Sequence, residues 1–101
     1  MKNNYLNIVG LSYRARKCTI GEELIVKDIQ HKRIKLLLLA NDIGQQTRKK
    51  LTDKCKTYNI PYVVVDDRFS LGNAIGKSQI VAIGILDIGF AHKIQSILRY
   101  N

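Results

Sequence analysis

The sequence has no tryptophan, one proline and two cysteines in 101 residues. Cys18 and Cys55 are too few for a disulfide scaffold and too far apart for a Cys-x-x-Cys metal or redox pair. With a single proline and no low-complexity stretch, no linker or disordered tail is read. No apolar run approaches the ~18 residues of a membrane span. Polar residues break every short apolar run near Met1-Lys2-Asn3-Asn4-Tyr5, so no signal peptide is visible. These absences predict a cytoplasmic chain with reduced thiols. Aromatic residues make up only 7% and do not alternate with basic ones, which argues against a platform for stacking single-stranded bases. Acidic residues are also scarce, 8 Asp and Glu against 17 Lys and Arg.

What is present starts from that imbalance. The net charge is +9 and the pI about 9.8, a large positive field for a chain of 11.5 kDa. Its natural partners are polyanions, nucleic acid first and an anionic membrane surface second. Hydrophobic residues at 46% and charged residues at 25% fit an ordinary globular protein. The length suits one domain, which buries roughly two-thirds of its unfolded surface without staples.

Three short apolar runs, Leu36–Ala40, Tyr62–Val65 and Ile80–Ile83, are continuous rather than alternating. Such runs predict strands covered on both faces. Between the first two, Thr47, Leu51, Cys55 and Tyr58 share one face of a helix. Asp42 is placed to cap its start, and Asn59-Ile60-Pro61 ends it. Two helices are expected before the first strand. One has an inner stripe of Tyr5, Ile8, Val9, Ser12 and Ala15. The other runs from Glu22 to about His31 with Gly21 before it. A short helix from Ser70, as N-cap, to Ile75 ends at Gly76, and a last helix after Gly89 turns Phe90, Ile94, Ile97 and Leu98 inward. The order helix, helix, strand, helix, strand, short helix, strand, helix describes an α/β/α sandwich. No internal repeat is found.

Catalytic material is weak. His31 and His92 lie in different predicted helices among exposed-looking neighbours, and the bland reading is that both are solvated. Cys18 and Cys55 read as small buried hydrophobes, although Arg16 and Lys17 could lower the pKa of Cys18. Asp66-Asp67 follows a strand and reads as a solvated turn, since no other acidic cluster completes a site. Gly72–Ser78 approaches the Walker phosphate loop, but Leu71 stands where its first Gly belongs, and the segment closes a helix instead of opening one. Gly72 and Gly76 then read as positions of close packing and a tight exit turn. No metal, no cofactor and no enzymatic activity are expected. The basic clusters are more informative: Arg14, Arg16 and Lys17; Lys27; Lys32, Arg33 and Lys35; and Arg48 to Lys56. They suit recognition of shape and phosphate in a folded nucleic acid.

A resemblance accompanies these residues. Gly21-Glu22-Glu23-Leu24-Ile25-Val26-Lys27, then Leu36–Asp42, Asn59-Ile60-Pro61-Tyr62, Leu71–Gly76 and Val81-Ala82-Ile83 are similar in order and spacing to the kink-turn RNA-binding ribosomal protein superfamily. That superfamily includes archaeal "L-seven-Ae" and eukaryotic L-thirty-e proteins. Gly10–Lys17 and Asp87–Ala91 look most like its bacterial YlxQ-type branch. The resemblance runs from about Leu6 to Leu98. It implies an α/β/α sandwich around a small mixed sheet, in a single RNA-binding domain over residues 1–101. It also implies RNA contact through a helix N-terminus and a nearby loop. The strongest kink-turn readers carry Gly-x-Asn-Glu-x-x-Lys at that helix. Gly21 and Lys27 match, while Glu23 replaces the Asn and Leu24 the Glu. Leu24 offers no hydrogen bond, and Glu23 cannot donate one. The second contact is expected in Asp66–Gly72, with Arg68 on phosphate and Phe69 against an extruded base. The alternative is that Phe69 is core and Arg68 solvated.

The leading expectation is a non-catalytic RNA-binding protein. Gly21, Glu22 and Glu23 would offer helix amides and Lys27 a polar contact to base or phosphate. Arg14, Arg16, Lys17, Lys32, Arg33 and Arg68 would attract phosphate. The expected partners are a structured ribosomal or kink-turn RNA and ribosomal proteins, with no membrane role and a monomeric state. The alternatives are a protein-interaction module whose RNA site is weakened, a nucleotide hydrolase using Gly72–Ser78, and a binder of duplex DNA.

Overall fold

The computed structural model describes residues 5–99. Met1–Asn4, used above for the absence of a signal peptide, lies outside them, as do the last two positions. The elements run α1 (Tyr5–Arg14), β1 (Cys18–Ile20), α2 (Glu22–Gln30), β2 (Leu36–Leu39), α3 (Gln45–Tyr58), β3 (Tyr62–Val64), α4 (Arg68–Ala74), β4 (Ala82–Ile85) and α5 (Ile88–Arg99).

The four strands form one mixed sheet in the order β1-β4-β2-β3. β4 is antiparallel to both its neighbours, and β2 is parallel to β3. The central strands β2 and β4 are buried along their whole length, as their unbroken apolar runs require. Alternate residues of β2, with Ala40 just past its end, supply two separate cores. Leu36, Leu38 and Ala40 join Tyr5, Val9, Leu71, Ala91 and Ile94 beneath α1, α4 and α5. Leu37 and Leu39 join Ile25, Ile29, Leu51 and Cys55 beneath α2 and α3. The result is the expected three-layer α/β/α sandwich, with about 1.5–3 kcal/mol gained for each fully buried aliphatic side chain.

Several details differ from expectation. The strand Cys18-Thr19-Ile20 was not expected, because three residues carry no readable period. It forms by pairing with β4, Ile20 opposite Ile83. β4 begins at Ala82, two residues later than predicted, and continues through Gly84 to Ile85. The N-cap of α3 is Gly44 and not Asp42. The N-cap of α4 is Asp67 and not Ser70: the Asp67 carboxylate accepts the Phe69 and Ser70 N–H groups at 3.0 and 3.2 Å, and Ser70 lies inside the helix. Ala15, expected on the inner face of α1, is exposed beyond its end. Asn59 ends α3 in the left-handed conformation, φ 59°, as the Asn-Ile-Pro signal suggested.

The strand directions give the sheet two distinct ends. At the upper end, β1, β2 and β3 finish, β4 begins, and α2, α3 and α4 start. The first turn of α1 is anchored there, where the Tyr5 hydroxyl donates to Asp66 at 2.6 Å. At the lower end, α1, α2 and α3 finish and β1, β2 and β3 begin.

Candidate nucleic-acid interface

α2 starts at the upper end on Gly21, whose φ of 94° is a conformation that L side chains adopt only with strain. A Cβ there would meet nothing within 4 Å, so the backbone and not crowding asks for glycine, and the space above the helix start is open. No side chain caps α2. Among the described residues its first amides therefore have no side-chain acceptor, and the positive end of the helix dipole stands behind them. Glu22 and Glu23 lie in this first turn. Leu24 follows with 58% of its surface exposed. Lys27 is exposed one turn beyond Glu23, on the same flank of the helix.

Next to the α2 start is a cleft of about 250 Å³, lined by Gly21, Glu22, Ile25, Thr47, Leu51 and the segment Gln79–Ala82. Its far wall is the α4–β4 loop. Gly72 and Gly76 shape that loop. A Cβ on Gly72 would come within 2.7 Å of the Gln79 Cα, and Gly76 takes φ 75° at the helix exit. Both therefore serve the close packing and tight turn expected of them. Lys50 Nζ reaches the Glu22 carboxylate at 2.9 Å. Lys50 and Gln79–Val81 were missed as site residues. The charged face of α3 contained Lys50 without singling it out. Ile80 and Val81 were absorbed into a strand that starts only at Ala82.

The β3–α4 loop is braced, not solvated. Arg68 Nε lies 3.3 Å from Asp42 Oδ2, and the Arg68 guanidinium also donates to the Asp42 carbonyl and, at 3.5 Å, to Gln79 Oε1. The Arg68 backbone N–H donates to Asp42 Oδ1 at 3.0 Å. Arg68 thus ties three upper-end loops together. Phe69 is 61% exposed and not part of either core. The Asp66-Asp67 pair is likewise not a solvated turn. Asp66 receives the Tyr5 hydroxyl and Asp67 caps α4. The hydrogen bond from the Ser70 hydroxyl, with the backbone bonds from Ser70 and Phe69, holds the Asp67 carboxyl below its ordinary pKa.

The structure therefore brings Gly21, Glu22, Glu23, Lys27, Arg68 and Phe69 onto elements that start at the upper end. It does not bring Arg14, Arg16, Lys17, Lys32 and Arg33 there. These flank the ends of α1 and α2 and the entries to β1 and β2, at the lower end. Neither thiol is activated. Burial raises the pKa of Cys18, against the expected effect of Arg16 and Lys17, and only the Ser12 hydroxyl at 3.0 Å opposes it. Burial pushes Cys55 up to about 11. His31 and His92 are both exposed, on α2's end and on α5. Among the described residues, no three His, Cys, Asp or Glu are grouped to hold a metal ion, and no helix is long and apolar enough to cross a membrane.

Residues 4–95 match the model of the ribosomal protein L7Ae/L30e/S12e/Gadd45 family. The chain is 46% identical over 91 residues to the RNA-binding protein YlxQ of Bacillus subtilis, covering 90% of this chain and 91% of that one. It is 29% identical to the large ribosomal subunit protein eL8 of Thermoplasma acidophilum, over 83% of this chain and 70% of that one. A solved structure from Bacillus halodurans superposes with a TM-score of 0.92 at 43% identity, covering 97% of this chain and 99% of that one. The Giardia lamblia 15.5kD RNA binding protein shares the fold, with a TM-score of 0.79 at 19% identity over 95% of this chain and 86% of that one. A family match across nearly the whole sequence, relatives of similar length and a common fold lead to one conclusion: the chain belongs to the ribosomal protein L7Ae/L30e/S12e/Gadd45 family.

Proposed function

We propose that this protein is a non-catalytic, cytoplasmic RNA-binding protein, one domain over residues 1–101, that recognises a structured, kink-turn-like RNA at the upper end of its sheet. The observation that carries the reading is the uncapped start of α2 at Gly21, open to solvent and flanked by Lys27 and the cleft. Backbone amides at such a helix start meet a phosphate, and Lys27 adds a charged donor to base or phosphate. Arg68 holds the neighbouring loop in place and Phe69 offers an exposed ring for an unstacked base. The relatives named RNA-binding protein YlxQ and the ribosomal eL8 proteins support the ligand class and a ribosomal setting. No cofactor is needed for this role.

Fluorescence anisotropy with a kink-turn RNA, and with the same RNA whose G·A pairs are replaced by Watson–Crick pairs, tests the reading. A preference of tenfold or more for the kinked RNA, about 1.4 kcal/mol, that Lys27→Ala removes is the expected result. Equal binding to both RNAs would overturn kink recognition.

A second reading is a protein-interaction module in a ribosome or RNA-processing assembly. Leu24 and Phe69, two large apolar side chains exposed on helices that start at the upper end, favour it. An interaction with a ribosomal or processing factor that survives nuclease treatment would support this reading.

A further inference from the structure

The lower end of the sheet carries a second cationic surface that the α2 site does not use. Arg16 and Lys17 on one side, next to Arg14 whose guanidinium turns back along α1 towards Gly10, and Lys32, Arg33 and Lys35 on the other, are separated in the sequence and joined by β4. The Leu86 N–H donates to the Lys17 carbonyl at 2.8 Å, and the Lys35 N–H donates to the Ile85 carbonyl at 2.7 Å. Two successive residues at the end of β4 thus pin both basic loops. β1 and β2 flank β4, so the loops stand about two strand spacings, ~10 Å, apart.

Carboxylates at this end are already committed. Asp28 takes Arg33 at 2.9 Å and the Thr19 hydroxyl at 2.6 Å, and Asp87 accepts the Phe90 N–H at 2.9 Å. Among the described residues, Arg14, Arg16, Lys17, Lys32 and Lys35 have no carboxylate partner. All five are exposed.

Complementing helix dipoles accounts for part of this charge, because α1, α2 and α3 all end here. Turn geometry does not account for Arg16 and Lys32. Both lie in turns just past a helix end with φ 61° and 57°, the left-handed conformation where glycine is unstrained and L side chains are not. The turn geometry does not ask for a long cationic side chain at either position, so what Arg16 and Lys32 add is charge. Ile88, 53% exposed, is the large apolar side chain presented at this end, less than the apolar centre of a protein interface needs.

We propose that the lower end is a separate docking surface for the phosphate backbone of an RNA duplex, so that one molecule holds two RNA segments at opposite ends of its sheet. The proposal rests on RNA being the ligand class of this protein, and goes beyond the α2 site in assigning a second surface and a second segment.

The test is a titration of a straight RNA duplex of about 16 base pairs at several salt concentrations, with wild type and with the variant Arg16→Gly/Lys32→Gly/Lys35→Gln. The glycines suit the left-handed turns, so the variant is expected to melt no lower than wild type. The single variant Lys35→Gln is the fallback if it does. The expected result is duplex binding at least tenfold weaker, with a log K against log salt slope shallower by up to about 2.7, about 0.9 for each phosphate no longer neutralised. In a second arm, protein captured on an immobilised kink-turn RNA is expected to retain the labelled duplex. Three outcomes would overturn the proposal. In one, the variant binds the duplex as wild type does. In another, the duplex competes with the kinked RNA for one site. In the third, polyglutamate binds the lower end as tightly as the duplex, which would make it a surface for acidic protein. If the kinked RNA shows no preference over its Watson–Crick control, the α2 reading fails on its own, and the duplex titration still reads the lower end.

Discussion

Lys50 Nζ lies 2.9 Å from a Glu22 carboxylate oxygen, linking the second turn of α3 to the first turn of α2. A cation beside the open helix start is therefore engaged with a carboxylate in the free protein. Both side chains are about half exposed, so the pair contributes little to stability. Glu22→Gln is expected to leave the melting temperature nearly unchanged. It should free Lys50 and remove a charge that repels phosphate. RNA binding should tighten about 2–5-fold, with the salt slope steeper by about 0.9, as for one additional phosphate neutralised. Anisotropy across a salt series reads both numbers, and weaker binding would contradict this account of Glu22.

The positions of Glu23 and Leu24 make a gain of function testable. Both side chains are exposed in the first turn of α2, so substitution there has room. Glu23→Asn with Leu24→Glu installs the residues of the strongest kink-turn readers, supplies the donor that the native pair lacks and moves the carboxylate acceptor to position 24. The expected gain in preference for kinked over straightened RNA is tenfold or more. An unchanged ratio would show that these two residues do not limit recognition.

Gly72 permits backbone to approach backbone. A Cβ there would lie 2.7 Å from the Gln79 Cα and 2.8 Å from the Lys77 carbonyl oxygen, and neither can yield as a flexible side chain would. Gly72→Ala is expected to lower stability by about 1–3 kcal/mol in chemical denaturation. It should also displace Gln79, and with it the wall of the cleft and the Arg68 hydrogen bond, and so weaken RNA binding. Wild-type stability and affinity in this variant would show that the two segments do not meet as described.

Burial of Cys55 has a consequence at alkaline pH. Its folded pKa, about 11, lies above the ordinary thiol value, so folding favours the neutral thiol. That contribution is fully present below about pH 9 and is lost as pH rises towards 11, roughly 2–3 kcal/mol in all. Burial raises Cys18 as well, and Tyr5 upward beyond that range, with the same sign. Unfolding free energy should therefore fall between pH 9 and 11, and Cys55→Ala should flatten the decline. Both thiols should react slowly with a disulfide reagent in the native protein and rapidly in denaturant. Rapid native reaction of Cys55 would contradict its burial.

Much of the architecture was legible in the sequence because burial on both faces leaves a continuous apolar run. Leu36–Leu39 announced itself as a central strand for that reason. The spacing of Thr47, Leu51, Cys55 and Tyr58 announced a helix with one inner face. Cys18–Ile20 was not legible, since its strand character comes from pairing with β4, a partner more than sixty residues away. The capping of α4 by Asp67 is local, since its carboxylate holds amides two and three residues on, and Asp67 and Ser70 were competing cap residues in the same short stretch. The use of Asp42 to hold Arg68 in place of capping α3 turned on three-dimensional placement, the two lying 26 residues apart.

By itself the sequence determined the charge, the layered α/β/α fold and the position of the helix start at Gly21, because composition, hydrophobic period and a glycine-led turn are local properties of the chain. Only the tertiary structure decided which cations share a surface. Strand direction is set by long-range pairing, and it sends Lys27 and Arg68 to elements that begin at one end of the sheet and Arg16 and Lys32 to the other.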